Sequence, residues 1–101
     1  SVKIPLIIAD PSASADATRG KTNEELVELI DLLPTFVDHQ GGEVHHNILD
    51  GRSLMPLLRG EDTPWRDYTI SEYDYSCQVF RPQTGRTPLD CRSYMVATKQ
   101  W

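Results

Sequence analysis

No apolar run in the 101 residues approaches the roughly 18–20 positions that a spanning helix needs. The chain therefore carries no predicted transmembrane segment. Positive charge is also short: 10 Lys and Arg stand against 15 Asp and Glu, for a net charge of −5. That balance argues against a general nucleic-acid binder, which wants a basic face, and against adsorption to an anionic membrane. Aromatics are 8% and hydrophobic residues 39%, low for a domain that must close its own core. A chain of this length still buries roughly two-thirds of its unfolded surface, so one domain, or a piece of one, is the expectation.

Cysteine is scarce. Cys77 and Cys91 enclose 13 residues. A bridge across them would contribute around 3 kcal/mol. Two reduced thiols in a cytoplasmic protein is the favoured reading. The opening "SVKIPLII" has neither the basic region nor the small-residue cleavage site of a signal peptide. The chain starts without Met, which reads as a processed or excised piece.

The stretch "KIPLIIADPSASADATRGKTNEELVELI" has the outline of a phosphate loop: apolar strand, small-residue loop, Gly20-Lys21-Thr22, charged segment. The motif needs glycine at the position held by Ala15, where a Cβ obstructs close backbone approach to phosphate. The apolar run also ends at Ile8, with Asp10-Pro11-Ser12 intervening. No later apolar run ends in the Asp that Mg²⁺ would require. Half a motif does not carry a nucleotide site, and Lys21 is expected to be solvated.

Residues 2–8 read as a strand, and Leu6-Ile7-Ile8 lacks alternation, so both faces are expected to be buried. Residues 9–20 are a loop with little reason to pack alone. Residues 24–30 suit either a strand or a helical stripe. Asp31 is the expected N-cap of a helix with Pro34 in its first turn and Gly41-Gly42 as its stop. The alternative is one kinked helix from Glu24 to Gln40. Residues 43–50 read as loop and Asp50-Gly51 as a turn. Ser53 is the expected cap of a short helix with Pro56 near its start and Gly60 as its stop. Residues 66–75 and 91–101 read as strands, separated by a hairpin loop or excursion over 81–90.

The words "KIPLII", "LIDLLPTFVDHQGG", "DGRSLMPLLRG" and "ISEY", followed by "YMVATKQW", come in an order and spacing that resemble the C-terminal part of a sulfatase. More broadly they resemble the sulfatase and phosphonate monoester hydrolase branch of the alkaline phosphatase superfamily. The resemblance runs from residue 3 to about 74 and tips residues 24–30 toward strand. It implies an α/β fold: the end of a mixed αβα sandwich, alkaline phosphatase-like, followed by part of a small antiparallel C-terminal subdomain. Residues 1–60 would be the terminal strand-loop-strand-helix portion of the large domain, and 61–101 an incomplete antiparallel subdomain.

The same resemblance implies hydrolysis of sulfate or phosphate/phosphonate esters in a parent protein. A formylglycine or similar hydroxyl would attack there, with a divalent metal stabilising developing charge. That machinery belongs upstream, so no catalytic, cofactor-binding or metal residue is assigned to this chain. The expected partner is the remainder of the parent hydrolase, or a second copy through exposed apolar strands, with no nucleic acid and no membrane. The competing expectation is a free-standing, non-enzymatic α/β interaction module. Lys3 stands where the family has Arg, which keeps charge but loses the fork.

Other candidates are weaker. "CQVFR", Cys77 to Arg81, has the Cys and Arg spacing of a formylglycine motif, but Val79 occupies the Pro or Ala position and no metal cluster precedes it. His45 and His46, with Asp50 nearby, suggest a surface metal site. Adjacent strand residues face opposite ways, and a solvated loop explains them better. Asp38 and His39 read as a polar helix face. Glu72 and Asp74 share a strand face without an acid–base partner. Tyr68, Tyr73, Tyr75 and Tyr94 read as sheet packing or subunit contacts.

Overall fold

The computed structural model describes residues 4–75, 85 and 87–100. The chain divides into two compact units, the first ending at Arg66 and the second beginning at Asp67.

In the first unit the longest helix among the described residues is α1, Leu32–His39. Pro34 lies in its first turn, where a missing N–H removes no intrahelical bond. The helix stops at Gly41, whose φ of 76° places it in the left-handed region that glycine enters without a Cβ penalty. Gly41 N–H donates to the Asp38 carbonyl at 2.9 Å and Gly42 N–H to the Val37 carbonyl at 2.9 Å. This paired closure is the Schellman motif that Gly41-Gly42 predicts. The short helix α2, Met55–Leu58, ends the same way, with Gly60 N–H on Leu57 O and Glu61 N–H on Pro56 O. Ser53 Oγ accepts the Met55 amide at 3.2 Å, as a cap would, although the helical backbone begins only at Met55.

Three expectations change. Asp31 occupies the N-cap position of α1 but makes no side-chain cap bond there. A 3₁₀ turn over Leu29–Asp31 runs directly into the helix, so the Asp31 carboxylate faces backward and accepts the Glu28 amide. For the same reason residues 24–30 are not a strand: they are irregular up to Glu28, and then turn. Residues 4–8 are also not a strand. A strand needs the N–H and C=O groups of a neighbour, and none of the described residues supplies a ladder here. Ile7 is 91% exposed.

The loop after this run packs more than expected. It contains a 3₁₀ turn, Ala13–Ala15, with Ala15 buried. The Thr18 hydroxyl reaches the carbonyls of Ala15 and, at the end of α2, Leu58. Arg19 binds the carbonyls of Asp10 and Ser12 and pairs with Asp16. The buried centre of the unit is unusually polar: Asp31, Pro34 and Thr35 lie inside with Ala15, Leu54 and Met55.

In the second unit, β1 (Tyr68–Asp74) and β2 (Arg92–Thr98) pair antiparallel, as expected. The register sets Ile70 opposite Val96, Glu72 opposite Tyr94 and Asp74 opposite Arg92. Alternation then puts Tyr68, Ile70, Glu72 and Asp74 on one face with Thr98, Val96, Tyr94 and Arg92. A 3₁₀ turn, Pro88–Cys91, leads into β2. Cys91 is buried. Cys77 lies outside the described residues, so the pairing of the two cysteines and the "CQVFR" spacing do too, as does Lys3.

Candidate functional site

The most ordered chemistry of the first unit is gathered around the Asp31 carboxylate, which is fully buried. Two backbone amides and one guanidinium reach it. Oδ2 accepts from Glu28 N at 2.8 Å. Oδ1 accepts from Arg52 N at 2.8 Å and from Arg66 Nη2 at 2.6 Å. The other arm of the same guanidinium, Nη1, reaches Glu28 Oε2 at 2.6 Å. The rigid fork of arginine suits such a bridge between two carboxylates, where the point charge of lysine would not. Arg66 also lies over the Trp65 ring, 5.8 Å from its centroid, within cation–π range.

A buried ion is costly unless its lone pairs are met. Both Asp31 oxygens are met, and the charge is balanced by Arg66. The backbone around it is tied in as well. Thr35 Oγ1 donates to the Asp31 carbonyl at 2.5 Å and accepts from Leu54 N at 2.9 Å. Gly51 allows the turn to run against α1's entry: a Cβ there would stand 2.1 Å from the Ile30 carbonyl oxygen. Ser53 Oγ donates to Asp38 Oδ2 at 2.5 Å, tying the α2 entry to the outer face of α1. The segments "LIDLLPT" and "DGRSL" thus meet in one cluster. The carboxylate has no exposed surface, and the cluster orders three chain segments.

Beside it, a half-open groove of about 1050 Å³ runs between the extended residues 6–8 and α2. Leu6, Ile8, Val27, Leu54, Leu57 and Leu58 make its apolar lining, and Gly20, Lys21 and Thr22 stand at its border. The half phosphate loop therefore edges an apolar groove. Gly20 ends the loop with φ 73°, and Lys21 N–H donates to the Thr18 carbonyl at 3.0 Å. Asp10, also on the groove, is held below the usual carboxylate range. The largest cause is the Ser12 amide, 2.8 Å from Oδ1, followed by the Ser12 hydroxyl; the charges of His39 and Arg19 add less.

The remaining candidates do not converge. His45, His46 and Asp50 are exposed, and the His45 carbonyl closes a turn with the amides of Ile48 and Leu49. No group of three or more potential metal ligands occurs among the described residues. His39 is exposed beside the Gln40 side chain. Glu72 and Asp74 do share a face, and both approach Arg92 Nε, at 3.4 and 4.0 Å. Arg92 is held above its ordinary value by its hydrogen bond with Tyr94 first, then by Glu72. The rings of Tyr73 and Tyr75 meet at a tilt of 51°, with centroids 4.4 Å apart. Glu28, Arg52, Trp65 and Arg66 carry the cluster, yet none stands out in the sequence. Their one signal is charge, at Glu28, Arg52 and Arg66.

A family model described as N-sulphoglucosamine sulphohydrolase, C-terminal, matches residues 1–88. The human N-acetylglucosamine-6-sulfatase is 31% identical over 99 residues, covering 89% of this chain and 17% of that protein. A multifunctional alkaline phosphatase superfamily protein of Trinickia caryophylli is 38% identical over 76 residues, covering 74% of this chain and 14% of its own length. Among solved structures, the phosphonate monoester hydrolase of Silicibacter pomeroyi superposes with a TM-score of 0.68 at 36% identity, over 78% of this chain and 16% of that one. The chain thus spans about a sixth of the length of the relatives it matches.

Proposed function

The chain belongs to the sulfatase family whose model is described as N-sulphoglucosamine sulphohydrolase, C-terminal, and from that premise we propose that it is the non-catalytic C-terminal portion of a longer hydrolase of sulfate or phosphate/phosphonate esters. The observation that carries this reading is the match of residues 1–88 to a C-terminal family model. The Asp31 cluster supports it, because it joins two of the segments on which the resemblance rests, "LIDLLPT" and "DGRSL", in one ordered body.

In this reading the divalent metal and the hydroxyl or formylglycine nucleophile belong to the longer protein and to no residue of this chain. A divalent metal held there would supply stabilisation of developing charge. The contribution of residues 4–66 is to end the large α/β domain, and that of β1 and β2 is to start a small antiparallel subdomain. The partner is the remainder of that hydrolase, for which the exposed run 4–8 and the apolar groove are a ready contact.

The test is direct. The 101-residue chain, supplied with divalent metals, is assayed against an aryl sulfate and an aryl phosphonate monoester. No turnover is expected, and turnover by the chain alone refutes the reading. Cooperative unfolding as a soluble monomer, with no tendency to associate, would favour the free-standing interaction module instead.

A further inference from the structure

Residues 62–66 are held to the first unit in an unusual way. After Glu61 closes α2, no backbone group of this segment takes part in a backbone–backbone hydrogen bond among the described residues. Pro64 has no N–H to give. The segment is fastened instead by two adjacent side chains that reach back over residues 26–31. Trp65 Nε1 donates to the Leu26 carbonyl at 2.7 Å, and Arg66 spans Glu28 and Asp31 at 2.6 Å each.

One group inside the segment fits poorly. Thr63 Oγ1 is buried with no hydrogen-bond partner among the described residues. A buried hydroxyl without a partner penalises the closed position, and water would satisfy it in an open one. The remaining donors to Asp31, the amides of Glu28 and Arg52, do not come from this segment. They stay in place if it lifts.

We propose that residues 62–66 form a strap that opens and recloses as a unit on an otherwise intact first unit, with the Asp31 and Glu28 carboxylates as its keeper. Opening uncovers both carboxylates to solvent and frees the chain where it continues into Asp67 and β1. The strap is a conformational device of this chain, independent of which ester the longer protein hydrolyses.

Hydrogen exchange tests it on the whole chain. The Trp65 indole N–H, identified by its loss in Trp65→Phe, reports the strap, and the amides of residues 36–39 report α1. Opening of the strap alone makes the indole exchange faster than those amides by at least about tenfold, with little dependence on low denaturant. Thr63→Val removes the orphan hydroxyl at nearly constant volume. It is expected to slow indole exchange about tenfold and to leave the α1 amides unchanged. Equal rates with equal denaturant dependence overturn the proposal. So does a Thr63→Val effect that is absent, or that moves the indole and α1 together.

Discussion

Arg66 Nη2 and Asp31 Oδ1 meet at 2.6 Å although 35 positions separate the two residues. The contact joins a carboxylate with no exposed surface to a guanidinium whose side chain is only 10% exposed. Around such a pair, removing one partner costs more than the pair itself is worth, because the other charge stays buried.

Arg66→Met is therefore expected to destabilise the closed position of residues 62–66 by up to about 3–5 kcal/mol, read as faster Trp65 indole exchange, while the urea midpoint falls only by the free energy that keeps those residues closed. Arg66→Lys should recover only part of this, since one ammonium does not span Glu28 and Asp31 as the fork does. Adding Asp31→Asn to Arg66→Met should cost less than the sum of the single changes, because the fully buried charge at Asp31 is then no longer left without Arg66. A strictly additive cycle contradicts the buried-pair account.

Gly51→Ala is expected to be severe, because its Cβ would stand 2.1 Å from the Ile30 carbonyl oxygen and backbone cannot give by that much. Gly20→Ala offers a control. Gly20 has φ 73° and open space within 4 Å of where a Cβ would stand, so only the left-handed conformation is penalised, by about 1 kcal/mol. Thermal melts of the two variants should separate clearly. Similar losses would mean that the Asp50-Gly51 turn does not run against Ile30.

How much of this the sequence discloses follows from the range of each interaction. Helix α1 and its stop are legible because Pro34, Gly41 and Gly42 act on their own neighbours. The β1–β2 pair is legible from alternation at Tyr68, Ile70, Tyr94 and Val96. The role of Asp31 is not. Local rules place it at an N-cap, but its carboxylate is captured by Arg52 N and Arg66, 21 and 35 positions away. The apolar runs at 4–8 and 24–30 mislead in another way. Their composition reports a tendency to pair, and pairing needs a neighbouring strand that the described residues do not provide. The candidate site is obscured for the same reason: the motif words are recognisable as a set, while the side chains joining them read as surface charge.

Ser53→Ala removes the hydroxyl that donates to Asp38 Oδ2 at 2.5 Å and accepts from Met55 N. A hydrogen bond to a charged group is worth about 1.5–3 kcal/mol, and loss of the cap adds to it. Asp38→Asn keeps an acceptor and should cost less. If the two variants melt alike, the link to α1 carries the whole effect and the Met55 contact adds nothing.

Asp10 provides a pH-dependent contribution of defined sign. Its folded-state pKa is lowered, chiefly by the Ser12 amide and then by the Ser12 hydroxyl. The folded state therefore releases this proton more readily than the unfolded chain, whose Asp titrates near about 3.9. The stabilisation is complete above the unfolded value and is lost as pH falls through the lowered folded value. A carboxyl titration by NMR should place the Asp10 midpoint below the ordinary range. Ser12→Ala should raise it only in part, because the amide remains. A midpoint at or above the ordinary value removes the Ser12 contact from the account.

The exposed apolar run should govern how the isolated chain behaves in solution. Ile7 is 91% exposed, and Leu6 and Ile8 border the groove over Leu54 and Leu57. An unpaired extended segment with such side chains invites edge-to-edge association. Ile7→Lys is expected to lower self-association, measured by sedimentation across a concentration series, without lowering the melting temperature. Leu54→Lys buries an ammonium where only 2% of the residue is exposed, so it should unfold the first unit. The contrast separates a surface that awaits a neighbour from a core that already has one. If Ile7→Lys destabilises as Leu54→Lys does, residues 4–8 already belong to the core of the isolated chain and are not free to receive a partner.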